Sequence, residues 1–423
     1  MKETTAERIF DAVTEDRTGE SDLSDKAKAV EPKNFLRHLV ALSFSKISDG
    51  LIDPKLVLSW LLVNLGAGAF WVGLLVPVRE AGALLPQLFT APYIGRAAIR
   101  KWFWAGGTLV QGLMAGAIAW AALTQEGQAA GLTIVACLAV LAVARSVCSA
   151  SYKDVLGKTV ERSRRGTATG FASSASAAGV IVFALVLLSG WEQRYTLVIA
   201  AIALAACLWV GAAAVFATMR EFPSEGRDTS TPAQFRLLAE DPQLTRFILV
   251  RSLLVGTALA PPYLVALQPE NAIGQLGGLV LASALASLLS SYVWGRLSDR
   301  SSRRVLLLAG LAGGAVLAAL ALLALAGAAT MAGLIPAALF GVMIAHHGVR
   351  QGRATHLVDM ADADDRASYT ALSNTVVGLV LMGAGAVSAA LAAISLPLVI
   401  GLFAAMCFAA AVAARGLDEV QNA

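Results

Sequence analysis

The chain has 423 residues, 57% of them apolar and 15% charged, with a mean hydropathy of +0.68 and a net charge of +4. A water-soluble domain carries about 25% charged residues, so the composition excludes one and points to an all-α polytopic membrane protein. The small positive excess forms no basic stripe interleaved with aromatics, so nucleic acid is not an expected partner.

Residues 1–34 are polar and of mixed charge, and no short apolar segment follows a basic start, so no signal peptide is expected. This stretch reads as a cytoplasmic tail, with Ile9, Phe10 and Val13 as one apolar edge. A helix needs roughly 20 apolar residues to cross a bilayer. Twelve such crossings are predicted, six in a lobe over 35–218 and six in a second lobe over 243–414. The first six are 35–57, 68–94, 102–123, 129–151, 167–189 and 195–218. The second six are 243–266, 275–296, 304–326, 331–352, 368–393 and 396–414. Breaks fall at Gly327 to Gly333 and at Ser395 to Pro397. Residues 219–242 form a polar cytoplasmic linker in which Phe235, Leu237 and Leu238 suggest a short surface helix. Residues 415–423 form a second cytoplasmic tail. Helices are expected throughout because hydrocarbon offers unpaired backbone groups no partner.

Charge asymmetry orients this topology. With both termini inside, 27 of the 33 Lys and Arg fall on cytoplasmic segments, as the positive-inside rule requires. A multi-pass protein of a bacterial inner membrane, acting as a monomer, is the expectation.

Ionisable residues inside crossings are the candidate functional groups, because each costs about 2.5–3.5 kcal/mol to insert and so faces a cavity or a partner. The first crossing carries Lys46, Asp49 and Asp53 at spacings that share one stripe; Lys55 lies off that stripe and is expected to snorkel outward. The second carries Arg79 and Glu80, which point about 100° apart, and the neutral Gln87. Arg145 lies in the fourth crossing and Arg251 in the seventh. His346 and His347 lie in the tenth, with Arg350 and Arg353 nearer its inner mouth, and Asn374 in the eleventh. No carboxylate or Cys stands at ligand spacing from the histidines, so no metal is expected. The four cysteines, Cys137, Cys148, Cys207 and Cys407, sit in apolar runs without CxxC spacing and read as packing residues. No cofactor and no catalytic set is expected. Pro77 and Pro86 interrupt the second crossing and Pro261 and Pro262 the seventh.

The two halves echo each other. Gly95-Arg96 opens the loop after the second crossing, and Gly295-Arg296 opens the loop after the eighth. The ten residues from Gly295 to Arg304 sit between two runs without Lys, Arg, Asp or Glu. Gly295, Leu297, Asp299, Arg300, Arg303 and Arg304 match the pattern G-x-L-x-D-R-x-G-R-R, with Ser302 in place of the second glycine. The first copy, Gly95 to Lys101, has no acid. On these residues, and over roughly 35–415, the chain resembles the major facilitator superfamily of transporters. The resemblance implies twelve helices in two six-helix pseudo-repeats around a midplane site. It implies that the two loops latch one conformation through charge pairs with nearby helix ends, and that Arg145 takes part in proton coupling. The fifth crossing lacks the proline-containing glycine motif of the superfamily's drug/proton antiporters.

The expected function is secondary active transport of a small polar or anionic solute, with protons as coupling ion and Asp49 or Glu80 as the exchanging acid. Four cations (Lys46, Arg79, Arg145, Arg251) against three acids favour a negative substrate. Two alternatives stay open at this point: a proton-driven exporter of amphipathic compounds, and a non-transporting receptor or scaffold.

Overall fold

The structure, a computed structural model, describes residue 10 and residues 23–189, 193–223, 237–267, 276–331, 333–360 and 366–421. Ile9, Val13 and Phe235 lie outside the described residues. Helices account for the architecture, and there are no strands among the described residues.

After a single turn, α1 (Asp25–Lys28), the chain enters α2 (Glu31–Leu51), breaks, and continues as α3 (Val57–Asn64). It then forms α4 (Ala69–Leu84), α5 (Gln87–Arg96), α6 (Lys101–Thr124), α7 (Gly127–Thr159), α8 (Arg162–Leu188) and α9 (Arg194–Ala217). Past the linker come α10 (Leu237–Glu240), α11 (Pro242–Leu253), α12 (Gly256–Ala266), α13 (Leu276–Ser298), α14 (Ser302–Leu325), α15 (Leu334–Met360), α16 (Arg366–Ala392) and α17 (Leu396–Ala414). The two breaks read from sequence are present. Gly327 takes the left-handed φ of 76° before a short 3-10 turn, a conformation that glycine adopts freely. Ser395 precedes α17, whose first turn holds Pro397.

Among the described residues, eight segments are long and apolar enough to cross a membrane: α6, α7, α9, α14, α17, α11 with α12, and the parts of α8 and α16 from Thr167 and Tyr369 onward. The other expected crossings correspond to α2 with α3, α4 with α5, α13, and α15. Three of these four carry charged or histidine residues, and several of those residues reappear below as the lining of one cavity. The outer surface is apolar: Trp120, Leu123, Leu132, Leu288, Leu322 and Val412 are each at least 59% exposed, which suits a protein solvated by lipid rather than water. This is a multi-pass membrane protein.

Helix packing follows the small-residue logic of membrane bundles. A Cβ on Gly107 would meet the Ala144 carbonyl at 2.9 Å, and one on Gly310 the Cys407 carbonyl at 2.9 Å, so α6 on α7 and α14 on α17 approach backbone to backbone. Before the linker, α2 packs on α8 and α9, α6 on α7 and α9, and α4 on α7; after it, α14 packs on α15 and α17, and α13 on α15. The two sets meet where α4 and α5 pack on α16, α8 on α13, and α12 on both α3 and α4.

Two expectations about the polar segments change. Phe10 is not on a free tail: it is buried edge-on against Phe35, with the Arg164 guanidinium 4.7 Å from its ring centre. Apolar area and a cation both reward docking there. In the linker, α10 forms where Leu237 and Leu238 suggested a helix. Glu221, however, is no solvated linker charge. Its side chain is fully buried, pairs with Lys158 at 3.0 Å, and accepts from the backbone N–H groups of Arg100 and Lys101.

Candidate functional site

The site begins with a helix that stops. After Leu51 the Asp53 Oδ1 accepts from the N–H of Lys55 (2.9 Å) and of Leu56 (3.0 Å), while Pro54 has no N–H to offer a continuing helix. Asp53 is therefore the internal cap of the α2–α3 break. The turn carries Lys55 inward, and its Nζ donates to His346 Nε2 at 3.1 Å across the two halves. An ammonium has only donors, so Nε2 is the acceptor and Nδ1 carries the ring proton. Nδ1 then donates to Thr257 Oγ1 (3.2 Å), whose hydroxyl donates to the Leu254 carbonyl (2.9 Å) at the α11–α12 break. One hydrogen-bonded chain thus connects two interrupted helices. The reading of Lys55 as outward-snorkelling is corrected: it fails because a broken helix does not keep its angular register.

On the wall made by the first half, Asp49 is clamped by two guanidiniums, Arg79 at 2.8 Å on Oδ1 and Arg145 at 2.6 Å on Oδ2. Arg145 also donates to Ser45 Oγ. Arg79 and Glu80 both line the space, and Glu80 has no hydrogen bond or ion pair among the described residues. It stays within electrostatic reach of Lys55, Arg79, Arg350 and Arg353. On the opposite wall Arg251 is buried, at 7% exposure. It donates to Ser373 Oγ and, at 3.2 Å, to Asn374 Oδ1, and its Nε has no partner. Arg350 and Arg353 project from α15 one and two turns beyond His346, and neither has an ion pair among the described residues.

These groups surround one cavity of about 540 Å³ between the halves. Of the residues singled out from sequence, Asp49, Asp53, Arg79, Glu80, Gln87, Arg145, Arg251, His346 and Asn374 line it. Lys46 and His347 are not among its lining residues. Lys46 turns to α8, donating to Ser173 Oγ and the Thr169 carbonyl, and forms no pair with Asp49. The His347 ring lies 6.2 Å from that of His346, with its Nε2 buried and unpartnered. Lys55, Arg350 and Arg353 are the additions. Their signal was present in part: 346, 350 and 353 follow i, i+4, i+7, one face of a helix. The lining thus holds six cations, Lys55, Arg79, Arg145, Arg251, Arg350 and Arg353, against the acids Asp49, Asp53 and Glu80. No aromatic residue lies among the described lining residues, and no group of three potential metal ligands occurs among the described residues.

Beyond the lining residues of α4 and α16, toward Gly73 and Gly385, the helices pack closely. A Cβ on Gly73 would stand 2.3 Å from the Tyr263 hydroxyl and 3.1 Å from Ala389 Cα; one on Gly385 would stand 2.0 Å from Pro77 Cγ. Gly277 meets Leu187 and Leu188 in the same way. At the opposite, arginine-rich end lie the two loops. In the first, Arg100 pairs with Asp154 (2.9 Å) and donates to the carbonyls of Ile94, Gly95 and Ala97. In the second, Ser301 caps α14 and donates to Glu419 (2.7 Å), which also meets Arg303 at 3.5 Å. Ser302, where the loop pattern has glycine, uses its hydroxyl and N–H on Gln421 and bonds His356 at 2.8 Å. Gly295, Asp299, Arg300 and Arg304 flank this network; Asp299 and Arg300 are exposed.

No protein-family model and no curated protein matches the chain. Solved structures do match. A mutant of the nucleoside transporter NupG superposes with a TM-score of 0.69 at 14% identity, covering 91% of this chain and 100% of that one. The inward-open xylose transporter XylE from E. coli gives 0.69 at 9% identity, covering 90% and 96%. A D-xylose-proton symporter gives 0.67 at 10% identity, covering 92% and 99%. The fold is the major facilitator fold that the Gly295–Arg304 loop led one to expect.

Proposed function

We propose that this membrane protein is a secondary active transporter that moves a small anionic or polar solute by alternating access, coupled to protons. The observation that carries the reading is the cavity between the halves, with two cations for every acid in its lining. Buried charge of this kind is costly and is kept where a pathway uses it. The lack of aromatic lining among the described residues speaks against the export of amphipathic compounds, which need apolar faces to stack on.

Glu80 is the acid proposed to exchange the proton. Asp49 is held by two arginines and Asp53 by two backbone N–H groups, whereas Glu80 is bonded to neither. Protonating Glu80 removes the negative charge that faces Lys55, Arg350 and Arg353, and leaves those cations to an incoming anion. The closely packed end, at Gly73, Tyr263 and Ala389, is the exterior gate, and the arginine-rich end opens to the cytoplasm with both termini on that side. The first half (35–218) and second half (243–414) are proposed to rock about the cavity as two lobes. Mutual displacement of the α2–α3 and α11–α12 breaks is the hinge motion that interrupted helices permit.

Proteoliposome uptake of labelled anions, with and without an inward proton gradient, tests this. Glu80→Gln is expected to transport at a rate that no longer responds to the gradient. Gradient-driven uptake that survives in Asp49→Asn, Asp53→Asn and Glu80→Gln alike overturns the coupling scheme.

A further inference from the structure

Resting on the anion-transport reading, we infer that the solute is a small organic dianion with an anionic group at each end, a dicarboxylate in its simplest form. The positive charge is divided between the two walls. On one wall a single carboxylate, Asp49, serves both Arg79 and Arg145. On the other, Arg251 has only the neutral Ser373 and Asn374, and its Nε is buried without a partner. Arg350 and Arg353 share that wall with no acid bonded to them among the described residues.

A monoanion bound at Arg251, Arg350 and Arg353 leaves the first wall, where one carboxylate serves two guanidiniums, with an uncompensated positive charge in a space of reduced dielectric, where like charges repel strongly. An anion with two ends engages both walls at once, so its binding favours their approach. Guanidinium groups suit this task because each presents a planar fork of donors to a carboxylate. Between the walls the lining is aliphatic: Ile52, Leu254, Val255, Ala258, Val377 and Leu381. That surface suits a short methylene chain.

The test uses purified full-length protein in detergent and in proteoliposomes, with succinate, acetate and inorganic phosphate as probes. Succinate is expected to raise the melting temperature, and to compete for labelled succinate uptake, at concentrations at least tenfold below those of acetate or phosphate. Arg353→Gln is expected to lower the succinate-over-acetate preference at least fivefold, and Arg353→Lys to retain most of it. Acetate acting as well as succinate, phosphate outcompeting it, or Arg353→Gln leaving the preference unchanged overturns the two-ended dianion. In those outcomes anion transport itself stands. Uptake of none of the three probes overturns both readings. The wild-type melting series decides the selectivity even where a variant does not fold.

Discussion

Asp49 takes one guanidinium on each carboxylate oxygen, and neither arginine has another carboxylate within ion-pair distance among the described residues. Replacing it by Asn removes the charge that holds Arg79 and Arg145 together while keeping its shape. Charge-assisted hydrogen bonds of this burial contribute about 1.5–3 kcal/mol, so Asp49→Asn is expected to lower stability by about that amount, read as a drop in melting temperature in detergent. Glu80→Gln, with no bond to lose, is expected to leave melting unchanged within error while uncoupling transport from pH. A melting drop in Glu80→Gln as large as that in Asp49→Asn would reverse the roles given to the two acids. The same reasoning separates two other carboxylates. Glu221 is fully buried with three partners, and Glu221→Gln is expected to cost about 3 kcal/mol, since it strands Lys158 and unbalances two backbone donors. Glu419, 22% exposed, holds Ser301 and Arg303 at the surface; Glu419→Gln is expected to cost less than about 1 kcal/mol. Thermal melts of the pair check the ordering.

Among the elements, the interrupted helices set the site. The α2–α3 break turns Lys55 inward, and the α11–α12 break presents Leu254 and Val255 to the cavity; the hydrogen-bonded chain through His346 and Thr257 spans the two. The glycines on α4 and α16 set the close approach that is proposed as the gate. At Gly385 the neighbour is the Pro77 ring, which has no rotamer to yield, and overpacking of this kind costs about 1–3 kcal/mol. Gly385→Ala is expected to destabilise the closely packed end by that amount and to increase thiol labelling of a cysteine placed at Ala389. No change in either measurement would mean that α4 and α16 do not form the closed gate. The loop after α13 shows how one substitution within a pattern acquires a use: Ser302 has a hydroxyl where glycine has none, and spends it on Gln421 and His356.

For the whole molecule, the expected outcome concerns orientation. The arginine-rich loops lie at the end opposite Gly73 and Tyr263, and the proposed orientation, which follows the charge rule, has that end in the cytoplasm. A cysteine at Arg300, exposed in the second loop, should react with an impermeant maleimide in inside-out vesicles, and one at Glu126, between α6 and α7, in right-side-out vesicles. The reverse pattern would invert the topology and exchange the two gates.

The membrane class, the helical architecture, the breaks at Gly327 and Ser395 and most of the charged lining residues were legible in the linear chain. Hydrocarbon forces backbone polar groups to pair within a helix, and a charge in an apolar run signals a cavity whichever way the helices pack. Depth and angle were not legible, because they depend on where a helix breaks and what stands opposite. Composition placed Lys46 beside Asp49 and Lys55 outside. The Arg79 and Arg145 guanidiniums, arriving from other helices, gave Asp49 two different partners, and the Asp53 cap turned Lys55 inward. Composition likewise gave Glu221 to a solvated linker, and only the approach of α6 and α7 enclosed it. Local chemistry along the chain determined which groups must be kept from lipid; which of them face one another is a property of the packed bundle, since pairing energies are decided across space between residues far apart in sequence.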